Sequence, residues 1–190
     1  HWAMALRPYY YHDRQITLCP SAIKPYEPVL IGDWPYDLWC GPNAAWRWRD
    51  SVLFSYGLNG WGYNGKESDE LRDRSPIERY WGELNIKGAG NIPLFLDCCR
   101  AVGRPSTFIS YPPEIEGVVY FLNDWGLFCL NRHSGAVNCL FMDSSVRKVG
   151  LKELWTLKWH QEYETAGPWT KAVGIKPSDW PEWMRRFKDY

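Results

Sequence analysis

The residues best suited to chemistry in this 190-residue chain are His133, Asp143 and the cysteines. An imidazole can take the proton of a thiol while a carboxylate orients the imidazole, so the nucleophilic arrangement to consider is His133 and Asp143 with Cys98 or Cys99. The sequence has no G-x-S-x-G, H-E-x-x-H, phosphate-loop or dinucleotide-binding motif to support it. We therefore expect no enzymatic activity. His133 should form hydrogen bonds across its turn, and Asp143 should accept backbone N–H groups in a tight turn.

Six cysteines permit up to three disulfides in an oxidising compartment: Cys19, Cys40, Cys98, Cys99, Cys129 and Cys139. No two of them form the C-x-x-C pair typical of zinc sites, which argues against a metal site of that kind. Cys129 and Cys139 fall on adjoining predicted strands and could face each other across a hairpin. The alternative is that these thiols are free and buried as small apolar groups.

The elements that must position these residues lie in the central stretch 118–159, where short apolar runs alternate with polar turns. The apolar runs are 126–131, 137–142 and 146–149, and the turns between them are 132–135 and 143–145. Val, Leu, Phe and Cys dominate the runs, while Gly, Ser and Asn mark the turns. This pattern predicts a meander of antiparallel strands.

Beyond the meander, large apolar residues recur at the spacing of one helical face, at Leu151, Leu154, Trp155 and Trp159. We therefore predict an α+β fold, in which an antiparallel sheet meander packs against helices and long loops connect the elements. A further buried strand is predicted at 92–98. The length favours one domain over residues 1–190, with a helical tail at 151–190.

The charge of the chain excludes some partners. Lys and Arg number 22 and Asp and Glu number 22, so the formal net charge is zero. A balanced chain has no electrostatic footprint for nucleic acid or for an anionic membrane. No apolar run is long enough to span a bilayer, and no signal peptide is visible. We expect neither nucleic-acid binding nor membrane contact by this fragment.

His133, nine intervening residues and Asp143, followed by a short strand and LKELWTLKWH, resemble the prepilin-type His-x(9)-Asp-Gly domain of bacterial pseudopilins and type II secretion G-like proteins. Four further blocks resemble the same family in the same order: 19–22 (CPSA), 55–64, 91–98 and the tail 165–190. Two features depart from the family. Ser144 stands where the family has Gly, and neither a prepilin cleavage motif nor a long apolar helix precedes His1.

The resemblance implies a pilin-like globular head acting as a non-enzymatic structural subunit of a filament, as in type II secretion or type IV pili. It implies a secreted, cell-surface or periplasmic location, with copies of the chain or related subunits as partners. Pseudopilins commonly carry calcium in a C-terminal loop, and Asp143, Asn131, Asp124 and Asn123 supply oxygen donors in the matching region. No spaced loop motif joins them, so we expect ordinary turn residues and no cofactor. Since Ser144 is not Gly, we also expect a turn other than type I′ at Asp143.

An alternative function uses the 13 tryptophans. A secreted carbohydrate-binding module would stack exposed rings, such as Trp61, Trp125 or Trp169, on sugars. A coplanar row of exposed tryptophans would favour this function, whereas tryptophans in the core or at subunit contacts would favour the filament subunit. The enzyme hypothesis requires His133 to lie within hydrogen-bond reach of a cysteine or serine.

Overall fold

The computed structural model describes residues 6–9, 13–22, 24–25, 29–30, 38–39, 44–48, 52–62, 76–83, 85–106, 110–119 and 123–190. Cys40 lies outside them. The described strands are β1 (Lys24–Pro25), β2 (Val29–Leu30), β3 (Leu38–Trp39), β4 (Ala44–Trp48), β5 (Val52–Phe54), β6 (Tyr56–Asn59), β7 (Pro93–Asp97), β8 (Val102–Gly103), β9 (Val118–Val119), β10 (Ala136–Phe141) and β11 (Val146–Gly150).

A five-stranded mixed sheet of order β11-β10-β7-β6-β8 forms the centre of the fold. Its neighbours are antiparallel except for β6 and β8, which are parallel. The strand predicted at 92–98 is confirmed as β7, and the adjoining strands predicted at 137–142 and 146–149 are confirmed as β10 and β11. Two three-stranded sheets, β1-β4-β5 and β2-β3-β9, accompany the central sheet. The α+β class is therefore correct.

The turn between β10 and β11 places Ser144 in the left-handed region, where glycine is favoured. Ser144 N–H donates to the Phe141 carbonyl at 3.0 Å, and Phe141 N–H donates to the Ser145 carbonyl at 2.9 Å. Ser144 has φ 68°, whereas Asp143 is not among the residues with positive φ. This is a three-residue loop, a type I turn followed by a left-handed residue, and not a type I′ turn. Asp143 holds the loop by accepting the Ser145 N–H at 2.9 Å and the Ser145 hydroxyl at 2.6 Å.

The helices are shorter than predicted. The run 126–131 is not a strand, because Trp125–Phe128 forms a short α-helix, α1. Gly126 lets α1 approach the Val118 backbone closely, since a Cβ there would collide with the Val118 carbonyl oxygen. The remaining described helices are single 3-10 turns: Arg7–Tyr9, Arg14–Thr17, Ile77–Arg79, Ala89–Asn91, Lys152–Thr156, Lys171–Val173, Pro177–Asp179 and Glu182–Met184. Residues 151–190, all of them described, thus contain isolated 3-10 turns.

Aromatic rings fill the space on the buried side of the sheet. Leu151, Leu154, Trp155 and Trp159 are all at most 2% exposed, so the predicted apolar face is buried although its helix stops after Thr156. Trp125 stacks on Trp155 with ring centroids 4.4 Å apart. Large aromatic groups can each bury roughly 150–250 Å², which lets short elements share one core. Among the described residues, no helix combines the length and apolar character that crossing a membrane requires.

Candidate metal centre

Cys19, Asp97 and His133 converge on one point beside the central sheet. Their ligand atoms all lie within 4.8 Å of one another. The Cys19 Sγ is 3.4 Å from His133 Nε2, and Asp97 Oδ2 is 3.0 Å from the same nitrogen. This is the only such group of histidine, cysteine and acidic side chains in the part of the chain that the structure describes.

Each of the three residues is fixed by its own element. Asp97 is the last residue of β7. His133 precedes Ser134 (φ 58°) and Gly135 (φ 85°), the two consecutive left-handed residues that a type I′ turn needs at the start of β10. Cys19 follows the 3-10 turn Arg14–Thr17, and its N–H donates to the Ser55 hydroxyl at 2.5 Å. The site therefore depends on three segments that meet only in the folded chain.

Side chains alternate between the two faces along each strand, and this alternation places the site on the face opposite the aromatic core. Leu96, Val137, Cys139 and Phe141 point into the aromatic core. Asp97 is paired with Tyr56, and the N–H of Asn138 donates to Asp97 Oδ2 at 2.7 Å. Opposite residues in antiparallel strands share a face, and neighbouring residues along a strand point to opposite faces. Asp97, Tyr56 and Asn138 therefore lie on the face away from the core. The segment carrying Cys19 covers this end of the face.

The Asp97 carboxylate is buried together with a partner cation. Arg132 Nη1 lies 3.4 Å from Asp97 Oδ1, and both side chains are fully buried. The same nitrogen donates to the carbonyls of Ser55 at 2.5 Å and Cys98 at 3.2 Å. Buried charges require this kind of pairing and hydrogen bonding. Arg132 thus holds Asp97 Oδ1 and leaves Oδ2 facing His133.

His133 Nε2 has more polar neighbours than one nitrogen can satisfy. The Asn138 side-chain amide lies 3.0 Å from it, in addition to Cys19 and Asp97. A neutral imidazole nitrogen offers either one proton or one lone pair. In a catalytic relay the nucleophile and the carboxylate contact opposite ring nitrogens, whereas here they contact the same one. The arrangement therefore differs from such a relay, because three polar groups surround one ring nitrogen.

The ionisation of neighbouring groups reflects burial. Burial raises the pKa of the Cys19 thiol, and the Asp97 charge raises it further, while Arg132 and hydrogen bonds from Ser21 act in the opposite direction. Burial, with added repulsion from Asp97 and Cys19, raises the pKa of Tyr56 to about 12. Tyr56 is therefore a neutral hydrogen-bond donor near the site at physiological pH.

The predicted chemical residues are only partly brought together. His133 lies in the cluster, but the cysteine sulfur beside it is that of Cys19, and the carboxylate is that of Asp97. Asp143 is exposed at the tip of the β10–β11 hairpin, where hydrogen bonds from the Ser145 hydroxyl and N–H lower its pKa. The requirement that a thiol lie near His133 is met, although not with Cys98 or Cys99.

The calcium candidates have separate local roles. Asp124 Oδ2 accepts the Arg104 N–H at 2.6 Å, and burial raises the pKa of Asp124. Asn131 Oδ1 accepts the Gly135 N–H at 2.6 Å, while the Asn123 amide oxygen accepts the Trp125 N–H at 3.2 Å. Asp143 accepts hydrogen bonds within its own turn. In the described part of the chain, all four oxygen donors therefore serve as hydrogen-bonding groups of turns and helix ends.

The cysteines and tryptophans chosen from the sequence are mostly core residues. All five cysteines that the structure describes are buried, and no two of them form a disulfide with each other. Cys129 follows α1 and not a strand, so it does not oppose Cys139, and the disulfide considered between them is absent from the structure. Trp61 and Trp125 are 3% and 0% exposed, so neither can present a ring face to a sugar, and Trp169 is half-buried against Trp180.

Cys19 and Asp97 are the functional candidates that the sequence analysis missed. One signal was available, because Asp97 ends the apolar run PLFLD and a buried carboxylate needs a cationic or metal partner. No signal in the sequence identifies Cys19. Comparisons with protein-family models, with curated proteins and with solved structures gave no match to this chain.

Proposed function

We propose that this chain binds a divalent transition-metal ion, with Zn²⁺ the best match, through Cys19, Asp97 and His133. The convergence of a thiol sulfur, an imidazole nitrogen and a carboxylate oxygen within 4.8 Å carries this proposal. A tetrahedral Zn²⁺ ion with its usual bond lengths separates sulfur from nitrogen by about 3.6 Å and nitrogen from oxygen by about 3.4 Å. The observed sulfur–nitrogen and nitrogen–oxygen separations, 3.4 and 3.0 Å, are slightly shorter than these values.

The chemistry of the donors favours zinc over calcium or magnesium. Thiolate and imidazole suit borderline and soft transition metals, whereas calcium and magnesium take oxygen ligands. Arg132 on Asp97 and Ser55 on the Cys19 backbone are the kind of supporting hydrogen bonds that orient metal ligands. Three protein ligands leave one position of a tetrahedron for an exogenous ligand.

Cobalt is the sharpest probe of the site, because a Co²⁺–thiolate bond gives a charge-transfer absorption that oxygen and nitrogen ligands alone do not give. We expect the protein, after chelator treatment, to bind one Co²⁺ with this absorption and to lose it when Zn²⁺ is added. Cys19→Ser should abolish the thiolate absorption. His133→Gln should weaken Co²⁺ binding by more than roughly 100-fold. Loss of a residue that only hydrogen-bonds to a metal ligand already weakens metal binding by up to about this factor.

Cys139→Ala is the matched control, since it removes a buried thiol of the same sheet outside the cluster. It should keep the Co²⁺ spectrum. Asp97→Asn is less informative because it leaves Arg132 buried without its partner charge. A wild-type protein without the thiolate absorption, or a Cys19→Ser variant that retains it, contradicts the metal site. Rapid alkylation of Cys19 in a protein that binds no metal would instead support a nucleophilic thiol.

A second candidate function is a structural subunit with a pilin-like head in a secreted, cell-surface or periplasmic filament. The observation that favours it is local: Ser144 adopts φ 68°, the conformation for which glycine is best suited and where the resembling family has glycine. A bound metal could be structural in such a subunit, so the two candidates are compatible. Electron microscopy and light scattering of the chain from its natural source test this candidate, and a strictly monomeric species would contradict it.

A further inference from the structure

An apolar groove lies beside the proposed metal centre on the same face of the sheet. It encloses about 360 Å³, near the lower end of the range of roughly 300–1,000 Å³ for small-molecule sites. Phe95, Leu140, Ile16 and Val146 contribute apolar walls, and none of the described residues that line the groove is charged. The groove is thus suited to the uncharged part of a small molecule.

Two groove residues connect it to the centre. Asn138 lines the groove, and its side-chain amide is 3.0 Å from His133 Nε2. Tyr56 also lines the groove and is paired with Asp97 across β6 and β7. One end of the groove therefore adjoins the cluster of Cys19, Asp97 and His133, and apolar side chains line the rest of its length.

The two ends of the face differ in charge. A divalent ion and the buried Arg132 guanidinium together outweigh the Asp97 carboxylate and a Cys19 thiolate, whereas no charged residue lines the groove in the part of the chain that the structure describes. An anionic head placed at the open coordination position is attracted to this end, and an apolar body loses its water contact in the groove. Ile16 and Val146 are 61% and 70% exposed, so the outer wall has apolar surface for a ligand to cover.

We infer that the groove and the metal centre together bind a small carboxylate with a straight apolar chain, the carboxylate on the metal and the chain along Leu140 and Val146. This inference rests on the proposed metal site. Binding is reversible and involves no covalent step. The head provides the metal contact, and each methylene buried in the groove should strengthen binding about fourfold, from the usual free energy per CH₂ group.

The test uses Co²⁺-loaded full-length protein and a series of straight-chain carboxylates from acetate to octanoate, with the Co²⁺ absorption as the reporter. We expect affinity to rise about fourfold per methylene until the chain fills the groove. Ile16→Ser and Val146→Ser should flatten this dependence while leaving affinity for Co²⁺ and for acetate unchanged. Val173→Ser is the matched control, because Val173 is 58% exposed but does not line the groove.

The outcomes separate the two proposals. Loss of the cobalt–thiolate absorption in wild-type protein overturns the metal site and this inference with it. If the absorption is normal but longer carboxylates perturb it no more strongly than acetate does, the metal site stands and only the proposed ligand class is overturned. A chain-length dependence that survives in both Ile16→Ser and Val146→Ser places the ligand elsewhere and also overturns the inference.

Discussion

His160 should make the stability of this protein fall on mild acidification. Its side chain is 0% exposed, and its ring lies edge-on to Trp61 and Tyr163 with centroids 5.1 and 5.4 Å away. Neither ring nitrogen has a hydrogen-bond partner among the described residues. Burial, followed by the positive charges of Arg79 and Lys158, lowers the pKa of His160 from 6.5 to about 3.

The sign and size follow from proton linkage. Between about pH 6.5 and 3 the unfolded chain binds a proton at His160 and the folded chain does not, so the free energy of unfolding rises with pH across this window. The neutral His160 contributes about 5 kcal/mol to the free energy of unfolding, and this contribution is fully lost only near pH 3. Between pH 7 and pH 5 the same pair of pKa values gives a loss of about 2 kcal/mol.

Urea unfolding at pH 7 and pH 5, in the presence of a chelator so that metal release does not contribute, measures this loss. His160→Phe keeps an aromatic ring but cannot be protonated. From pH 7 to pH 5 the variant should therefore lose about 2 kcal/mol less of its free energy of unfolding than the wild type loses. Tyr163→Phe is the matched control. It removes the hydroxyl that donates to the Trp155 carbonyl and should lower stability equally at both pH values. Equal pH dependence in the wild type and His160→Phe would refute the reasoning.

Two further predictions concern stability and can be checked by the same urea unfolding. Ser144→Gly should stabilise the protein by about 1 kcal/mol, because φ 68° is unfavourable for a residue with a Cβ, whereas Ser145→Gly should destabilise it by removing the hydroxyl that donates within the turn. Asp189→Asn should cost about 3–5 kcal/mol, because it leaves the fully buried Lys152 ammonium, now 2.7 Å from Asp189 and 4.9 Å from the Trp180 ring, without its anion. Lys152→Met should cost less, and the opposite order would contradict this account.

Local patterns in the sequence predicted those parts of the fold that local forces determine. The turns at 132–135 and 143–145 follow from Ser, Gly and Asp, whose side chains or backbone freedom favour turns, and strands β10 and β11 follow from the apolar runs on either side of the second turn. The strand predicted at 126–131 is wrong, because a short apolar run fits a buried strand and a buried helical turn equally well. Its helical turn lies in tight contact with the Val118 backbone at Gly126, a contact that no periodicity reveals.

The candidate site could not be predicted in this way. Cys19 and His133 are 114 residues apart, and they meet because β6, β7 and β10 pair in one register and Cys19 is hydrogen-bonded to Ser55 beside β6. A shift of one residue in β7 would turn Asp97 to the other face of the sheet and remove it from the cluster. His133 was identified from its spacing to Asp143, but its contacts are with Asp97, Cys19 and Asn138.

The charges around the site connect the two proposals. With a neutral thiol, the Asp97 carboxylate and the Arg132 guanidinium compensate each other, so the empty site carries no net buried charge. A divalent ion bound with Cys19 as thiolate leaves one excess positive charge in surroundings that are largely buried. An anion in the open coordination position removes that excess, and a neutral ligand does not. For this reason the site should select a carboxylate over a neutral molecule of the same shape, and the groove should then select among carboxylates by the length of their apolar chains.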